Sequence, residues 1–237
     1  MYMDCISILT PTYNRPRLLE FYISNIKCQT YPHHLLEVII DDDGEHKFIP
    51  DSILDDVKKT LSPIKLKYFY YKDKREIGVK RNNLVKKSLN KIVINFDDDD
   101  IYNENIITYC HSNLKSNKKI GLVGTNQMIF CFINDNFKIT GMECGQKRQI
   151  HESGMMMRKK FWKSQGGYSS NSQGEGSKLI DGHDESHIKL LECKDMLFCI
   201  CHDDNTINKD RFNNEEMIID AKLSDEMKEL IIKSFLK

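Results

Sequence analysis

Short apolar runs alternate with longer amphipathic ones through the first half of the chain. Residues 5–9, 38–40, 66–70 and 92–96 are short apolar runs that read as strands, the β-branched run 92–96 as a buried one. Between them, apolar residues recur at helical spacing. Leu18, Leu19, Tyr22, Ile23 and Ile26 follow the first run; Ile53, Leu54, Val57 and Leu61 follow the second, with Ser52 placed to cap. A third helix is expected over 78–89 and is basic, carrying Lys80, Arg81, Lys86 and Lys87. This βαβαβαβ order predicts an α/β fold with a mostly parallel, Rossmann-like central sheet flanked by helices on both faces.

The second half is less regular. A helix is expected over 105–114, strands over 121–125, 128–133 and 154–158, a helix over 184–192 and a strand over 197–201. The stretch 165–176 is rich in Gly, Ser, Asn and Gln and reads as a long loop able to act as a lid. Met227, Leu230, Ile231 and Phe235 share one face of a last helix over 223–235, a stripe that packs against the domain.

The strands end in chemistry. The run 92–96 leads into Asp97, Asp98, Asp99 and Asp100; the run 38–40 leads into Asp41, Asp42, Asp43 and Gly44; the run 197–201 leads into His202 and Asp203. In an open parallel sheet these ends gather on one edge, where ligands bind. If residues 97–100 stay extended, Asp97 and Asp99 face one side and Asp98 and Asp100 the other. Adjacent carboxylates repel by about 3 kcal/mol per pair at an effective dielectric near 20, and a divalent cation turns that repulsion into ligation. Carboxylate oxygens suit Mg2+ or Mn2+.

Bulk properties narrow the classes. The 237 residues carry 35 Lys+Arg against 35 Asp+Glu, so there is no basic excess for a nucleic-acid partner. No apolar run approaches the ~18 residues of a membrane span, and the N-terminus lacks the signal-peptide pattern, so a soluble, cytoplasmic protein is expected, with any membrane association peripheral. The eight Cys form no CxxC pair, and Cys5, Cys131, Cys199 and Cys201 lie in apolar runs, as reduced buried thiols do. A homo-oligomer is compatible with this composition.

Four stretches in order resemble the family 2 glycosyltransferases of the GT-A fold. Ser7-Ile8-Leu9-Thr10-Pro11-Thr12-Tyr13-Asn14-Arg15 is similar to the family's opening strand and nucleotide loop, and residues 38–44 to its strand ending in Asp-Asp-Gly. Ile77-Gly78-Val79-Lys80-Arg81-Asn82 resembles its Gly…Arg-Asn helix start, and Phe96 with Asp97 to Asp100 its DxD metal motif. Later and more thinly, Gly182-His183-Asp184-Glu185 looks like the Glu-Asp site that supplies the base, with His where Glu is usual, and His202-x-x-Asn205-Thr206 like the late His of the metal site.

The resemblance implies a metal-dependent, inverting glycosyltransferase that moves a sugar from a nucleotide-diphosphate donor, expected to be a UDP-sugar, to a hydroxyl of a glycan or protein. It implies Mn2+ or Mg2+ held by Asp99 and Asp97, completed by His202, with Asp97 alternatively on the ribose and Asp98 beside it at the donor. Asp42 takes the nucleotide base's N–H, a role open to Asp41 and Asp43, in a pocket of Thr10, Pro11, Tyr13 and Arg15. Gly78 and Arg81 approach the phosphates or donor sugar. Asp184 is the general base with Glu185 as the alternative, unless Asp184 only caps a helix. The division expected is a nucleotide-sugar half over 1–115, an acceptor and catalytic half over 116–210 and a helical tail over 211–237. A sugar-phosphate nucleotidyltransferase is the alternative enzyme, disfavoured because the loop from Thr10 to Pro16 has no Gly; a non-catalytic binding protein is the other, disfavoured because the carboxylates are retained.

Overall fold

The structure, a computed structural model, describes residues 3–144, 149–181, 185–193, 195–203, 205 and 208–236, with the side chain of Glu185 outside that description. The first half follows the alternation in its sequence: β1 (Ile6–Thr12), α1 (Leu19–Lys27), β2 (Leu36–Asp42), α2 (Leu54–Leu61), β3 (Lys65–Tyr70), α3 (Ile77–Lys87) and β4 (Ile92–Asn95). Next come β5 (Ile101–Tyr102), α4 (Ile106–Lys115), β6 (Leu122–Gly124), β7 (Gln127–Phe132), β8 (Lys138–Glu143), β9 (Met156–Arg158), α5 (Lys159–Ser164) and α6 (Ser177–Ile180). The last elements are β10 (Ile188–Leu190), β11 (Leu197–Cys201) and α7 (Asp225–Phe235).

Seven strands make the central sheet in the order β10-β6-β9-β4-β1-β2-β3. β4, β1, β2 and β3 are parallel, β9 is antiparallel between β4 and β6, and β10 is parallel to β6. Period two decides which core each residue joins. Ile6, Ile8, Val38, Ile40, Ile92 and Ile94 pack with α1, α2, α4 and α7; Leu9, Ile39 and Val93 pack with α3 and α5 on the opposite face. The chain thus changes faces between α2 and α3, and it returns to β1 from the other side. That reversal makes the carboxyl edge between β1 and β4 the crevice where an open α/β sheet binds ligands.

A second sheet, β5-β11-β7-β8, lies beside the first and carries its own small core of Phe130, Phe132, Cys199 and Cys201. Here the structure departs from the sequence reading in several places. β5 and β8 were not expected, because β5 is two residues long and β8 mixes charged ends with Gly141 and shows no apolar run. Instead of a helix over 184–192 there is a single 3-10 turn at Glu185–His187 and then β10, which pairs Ile188 to Leu122. The partner strand, not local propensity, settles that segment. Thr10, Pro11 and Thr12 belong to β1 rather than a loop; past Leu9 the strand pairs only with β2, so proline's missing N–H sits beyond the end of β4. Ser52 lies within a 3-10 turn and caps nothing. All eight Cys are free, and Cys5 is exposed rather than buried because it precedes β1.

Candidate active site

A cleft of about 690 Å³ opens at the carboxyl edge of β1, β2 and β4. Its walls come from the β1 loop, from Asp43 and the start of α3, from the turn of residues 97–100, from residues 151–153 before β9, from the loop 172–175 and from Asp203, Asn205 and Lys209.

The β2 end divides its three carboxylates. Asp42 is fully buried and turned away from the cleft; it accepts hydrogen bonds from the Gly44 and Phe48 amides at 2.9 and 2.7 Å and from the Tyr68 hydroxyl. Its carboxylate shapes the loop after β2. Asp43 lines the cleft and pairs with Lys80, whose ammonium also donates to the Thr12 carbonyl, and with the Arg75 amide at 2.7 Å. Asp41 is held by Arg75 and Asn83; burial pushes its pKa up against these partners. Burial likewise lowers the Lys80 pKa, opposed by Asp43. Thr10 is buried against the Tyr22 hydroxyl at 2.7 Å and does not reach the cleft, whereas Pro11, Thr12, Tyr13 and Arg15 do. The Lys74 ammonium sits 4.1 Å from the Tyr13 ring centre.

The four consecutive aspartates form a turn, not an extended run, so their side chains diverge. Tyr102, stacked on Phe96 at 3.8 Å, takes the Asp97 amide on its hydroxyl and pins this turn. Asp97 faces Arg81, with 3.0 Å between Arg81 Nη2 and Asp97 Oδ1. Asp98 accepts from Thr12 and Arg15. Asp99 lies 2.8 Å from Arg15 Nη1, 3.3 Å from His202 Nε2 and 3.4 Å from Asn205 Nδ2. Burial works against the Asp99 charge, but Arg15 and the His202 hydrogen bond overcome it and hold the carboxylate below its usual range. Asp98 is raised by burial and by Asp99, and Asp100 is pushed up to about 7 by the same two causes. The sequence thus places four like charges together, and the fold answers with Arg15, Arg81 and Lys209, the last raised by Cys199, Asp100 and Asp99 against its own burial.

The loop 165–176 is seated on α3. Gly78 is buried beneath it, outside the cleft wall, and a Cβ there would meet the Ser169 carbonyl at 1.8 Å. The Gly78 amide donates to the Asn171 carbonyl and the Ile77 amide to Ser172 Oγ, so the loop caps the helix. Asn82 ties three groups of this segment: Trp162 Nε1 and the Tyr168 amide donate to its Oδ1, and its Nδ2 donates to the Tyr168 carbonyl. Trp162 is therefore packed under the loop. Glu175 closes the loop on Arg81 at 2.8 Å, and Gly176 donates to Glu152.

The structure brings Tyr13, Arg15, Asp43, Arg81, the 97–100 turn and His202 to one place. Asp184 lies outside the described residues, as does the Glu185 side chain. Residues that sequence reasoning passed over are Lys74, Arg75, His151, Glu152, Glu175 and Lys209, all lining the cleft. Glu152 and Glu175 stand in non-periodic segments, and their chemistry exists only once β9 and the loop fold back on α3. Burial and the neighbouring Glu175 raise the Glu152 carboxyl.

Among the described residues, no three His, Cys, Asp or Glu side chains are gathered to hold a metal ion. The donor set nevertheless fits a hard divalent cation: Mg2+ is typically held by one or two carboxylates plus substrate phosphates, so protein ligands alone need not form a cage. Asp97 Oδ1 is buried with no hydrogen-bond partner while Asp97 Oδ2 accepts from Arg81 Nη2 at 3.2 Å, and Asp99 lies beside His202.

The family model of "Glycosyl transferase family 2" matches residues 7–178. Comparison with curated proteins by sequence gives no match. Among solved structures, the mannosyltransferase PcManGT from Pyrobaculum calidifontis, in complex with GDP-Man and Mn2+, is 15% identical with a TM-score of 0.65, over 90% of this chain and 59% of that one. S. aureus TarS 1-349 in complex with UDP-GlcNAc is 15% identical with a TM-score of 0.63, over 97% of this chain and 64% of that one. The chain thus spans about three-fifths of these proteins' lengths and shares their fold, a mainly parallel sheet flanked by helices.

Proposed function

This chain belongs to glycosyl transferase family 2, and we propose that it transfers a sugar from a nucleotide-diphosphate donor, a UDP-sugar first among the candidates, to a hydroxyl of a glycan or protein. The observation that carries this reading is the convergence at the β1–β4 switch point of Asp43, Arg81 and the 97–100 turn around one cleft, with His202 against Asp99. The relatives captured with GDP-Man and UDP-GlcNAc support the donor class.

In this reading the base and ribose lie along Pro11, Thr12 and Tyr13. Asp43 takes the base's N–H, since Asp42 is committed to the loop amides. Arg15, Arg81 and Lys209 face the diphosphate. Asp97 and Asp99, with His202 behind, hold Mn2+ or Mg2+. A bound cation there stabilises the leaving diphosphate as a Lewis acid. Removing a proton from the acceptor hydroxyl needs a carboxylate within hydrogen-bond reach. Asp184, with Glu185 adjacent, is that group in our reading; Glu152 is the described cleft carboxyl whose raised pKa suits proton exchange. Attack opposite the departing diphosphate inverts the anomeric carbon.

The test is calorimetry of UDP and GDP with and without Mn2+, on wild type and Asp99→Ala. Mn2+-dependent binding of one nucleotide, lost in Asp99→Ala, is expected. No binding of either nucleotide refutes the donor site.

A further inference from the structure

Phe235 lies in the last turn of α7, far in sequence from the cleft, yet its ring reaches behind it. The ring centre is 4.9 Å from that of His202 and 5.1 Å from that of Phe21, in an edge-on contact. It is therefore gripped between α1 and the residue that follows β11. His202 in turn is 3.3 Å from Asp99 Oδ2. Its backbone amide donates to Asn205 Oδ1 at 2.8 Å, and Asn205 Nδ2 reaches the same Asp99 oxygen and the Ile200 carbonyl.

The rest of α7 is anchored independently of this contact. Ser224 caps it at the Met227 amide, Ile231 is fully buried, and Lys233 pairs with Glu20 at 2.5 Å. So α7 does not need Phe235 merely to stay on the domain. What the ring adds is an aromatic contact against the imidazole, tilted at 53° to its plane. A histidine at a strand end has two free side-chain torsions. The Asp99 contact restrains the tip of the ring, and an aromatic wall restrains its plane.

We propose that Phe235 is a positioning residue for the donor site, fixing the His202 imidazole against Asp99 so that the two present one geometry to the cation. The proposal rests on the metal role assigned above to Asp99 and His202. It makes the C-terminal helix a part of the donor site, a role that its apolar stripe alone does not announce.

The experiment is Mn2+ titration followed by electron paramagnetic resonance of the free ion, in saturating UDP and in saturating GDP. The proteins are wild type, Phe235→Ala, His202→Ala, the double variant, and Met227→Ala as a control in the first turn of helix α7, eight residues before Phe235. Phe235→Ala is expected to weaken Mn2+ about tenfold, the lower end of what losing a partner behind a metal ligand costs. The double variant should bind no more weakly than His202→Ala, because both changes act through one imidazole. Met227→Ala should lower thermal stability while keeping wild-type Mn2+ affinity. If Phe235→Ala does not fold, Phe235→Leu, which keeps the bulk and loses the flat ring, is read in the same way. Wild-type Mn2+ affinity in the folded Phe235 variant, or an equal loss in Met227→Ala, overturns the positioning role and leaves the metal reading standing. No Mn2+ binding by wild type with either nucleotide overturns both.

Discussion

Replacing Gly78 by Ala tests the seating of the loop on α3. In an ordinary helix this change stabilises by about 0.5–1 kcal/mol, because Ala loses less backbone freedom on folding. Here the added methyl carbon would lie 1.8 Å from the Ser169 carbonyl oxygen, against 3.4 Å for ordinary contact, so the loop backbone must retreat by about 1.6 Å. That retreat breaks the Gly78–Asn171 bond of 2.9 Å and the Ile77–Ser172 bond of 3.1 Å, and it draws Glu175 away from Arg81, now 2.8 Å apart. Two neutral hydrogen bonds at about 1 kcal/mol each and one charged bond at about 2 amount to a loss of about 4 kcal/mol. After the helix gain, about 3 kcal/mol of destabilisation remains. For a chain of this size that is a Tm drop of about 6–12 °C. The assay is thermal unfolding by circular dichroism, with Gly174→Ala alongside. Gly174 has φ of +61° and only Ser177 Oγ, at 3.3 Å, near its missing Cβ, so backbone strain dominates there and a loss of about 1 kcal/mol is expected. A Gly78→Ala protein that is as stable as wild type, or more so, refutes the argument, since the sign would then be that of a free helix.

Two further outcomes follow from the same geometry. Asn82→Ala removes the partner of Trp162 Nε1 and of both Tyr168 backbone groups, and is expected to cost about 2–4 kcal/mol in chemical denaturation, more than Asn82→Asp, which keeps the acceptor. Burial and the neighbouring Asp99 push the Asp100 pKa up to about 7 in the folded chain, against about 4 when unfolded, so between these values the folded state favours the proton and stability falls as pH rises through that window. Asp100→Asn should therefore raise Tm at pH 8 by the equivalent of up to about 4 kcal/mol and change it little at pH 4; an equal shift at both pH values would sink the assignment.

Much of the framework was legible before the structure. The four apolar runs of the first half became β1 to β4 because each is bounded by polar residues and separated by a helical period, and a parallel sheet is what such an alternation can bury. The acidic strand ends were legible for the same reason, since carboxylates directly after a buried strand have only the sheet edge to occupy. The second half was harder to read because its strands are two to six residues long and its helices include one of only four, too short for a period to show.

What the sequence determined by itself is therefore the four parallel strands β1 to β4, their direction and the identity of the groups at their carboxyl edge, all of which depend on neighbours in the chain. Only the tertiary structure decided which carboxylate does what. Asp41, Asp42 and Asp43 are indistinguishable as letters, but folding turns Asp42 to the loop amides and Asp43 to the cleft. It likewise sets Glu175 on Arg81, Glu152 beside Gly176, and Phe235 behind His202. These pairs are separated by 24 to 94 positions. Their energies depend on distance and burial in space, which no local pattern encodes.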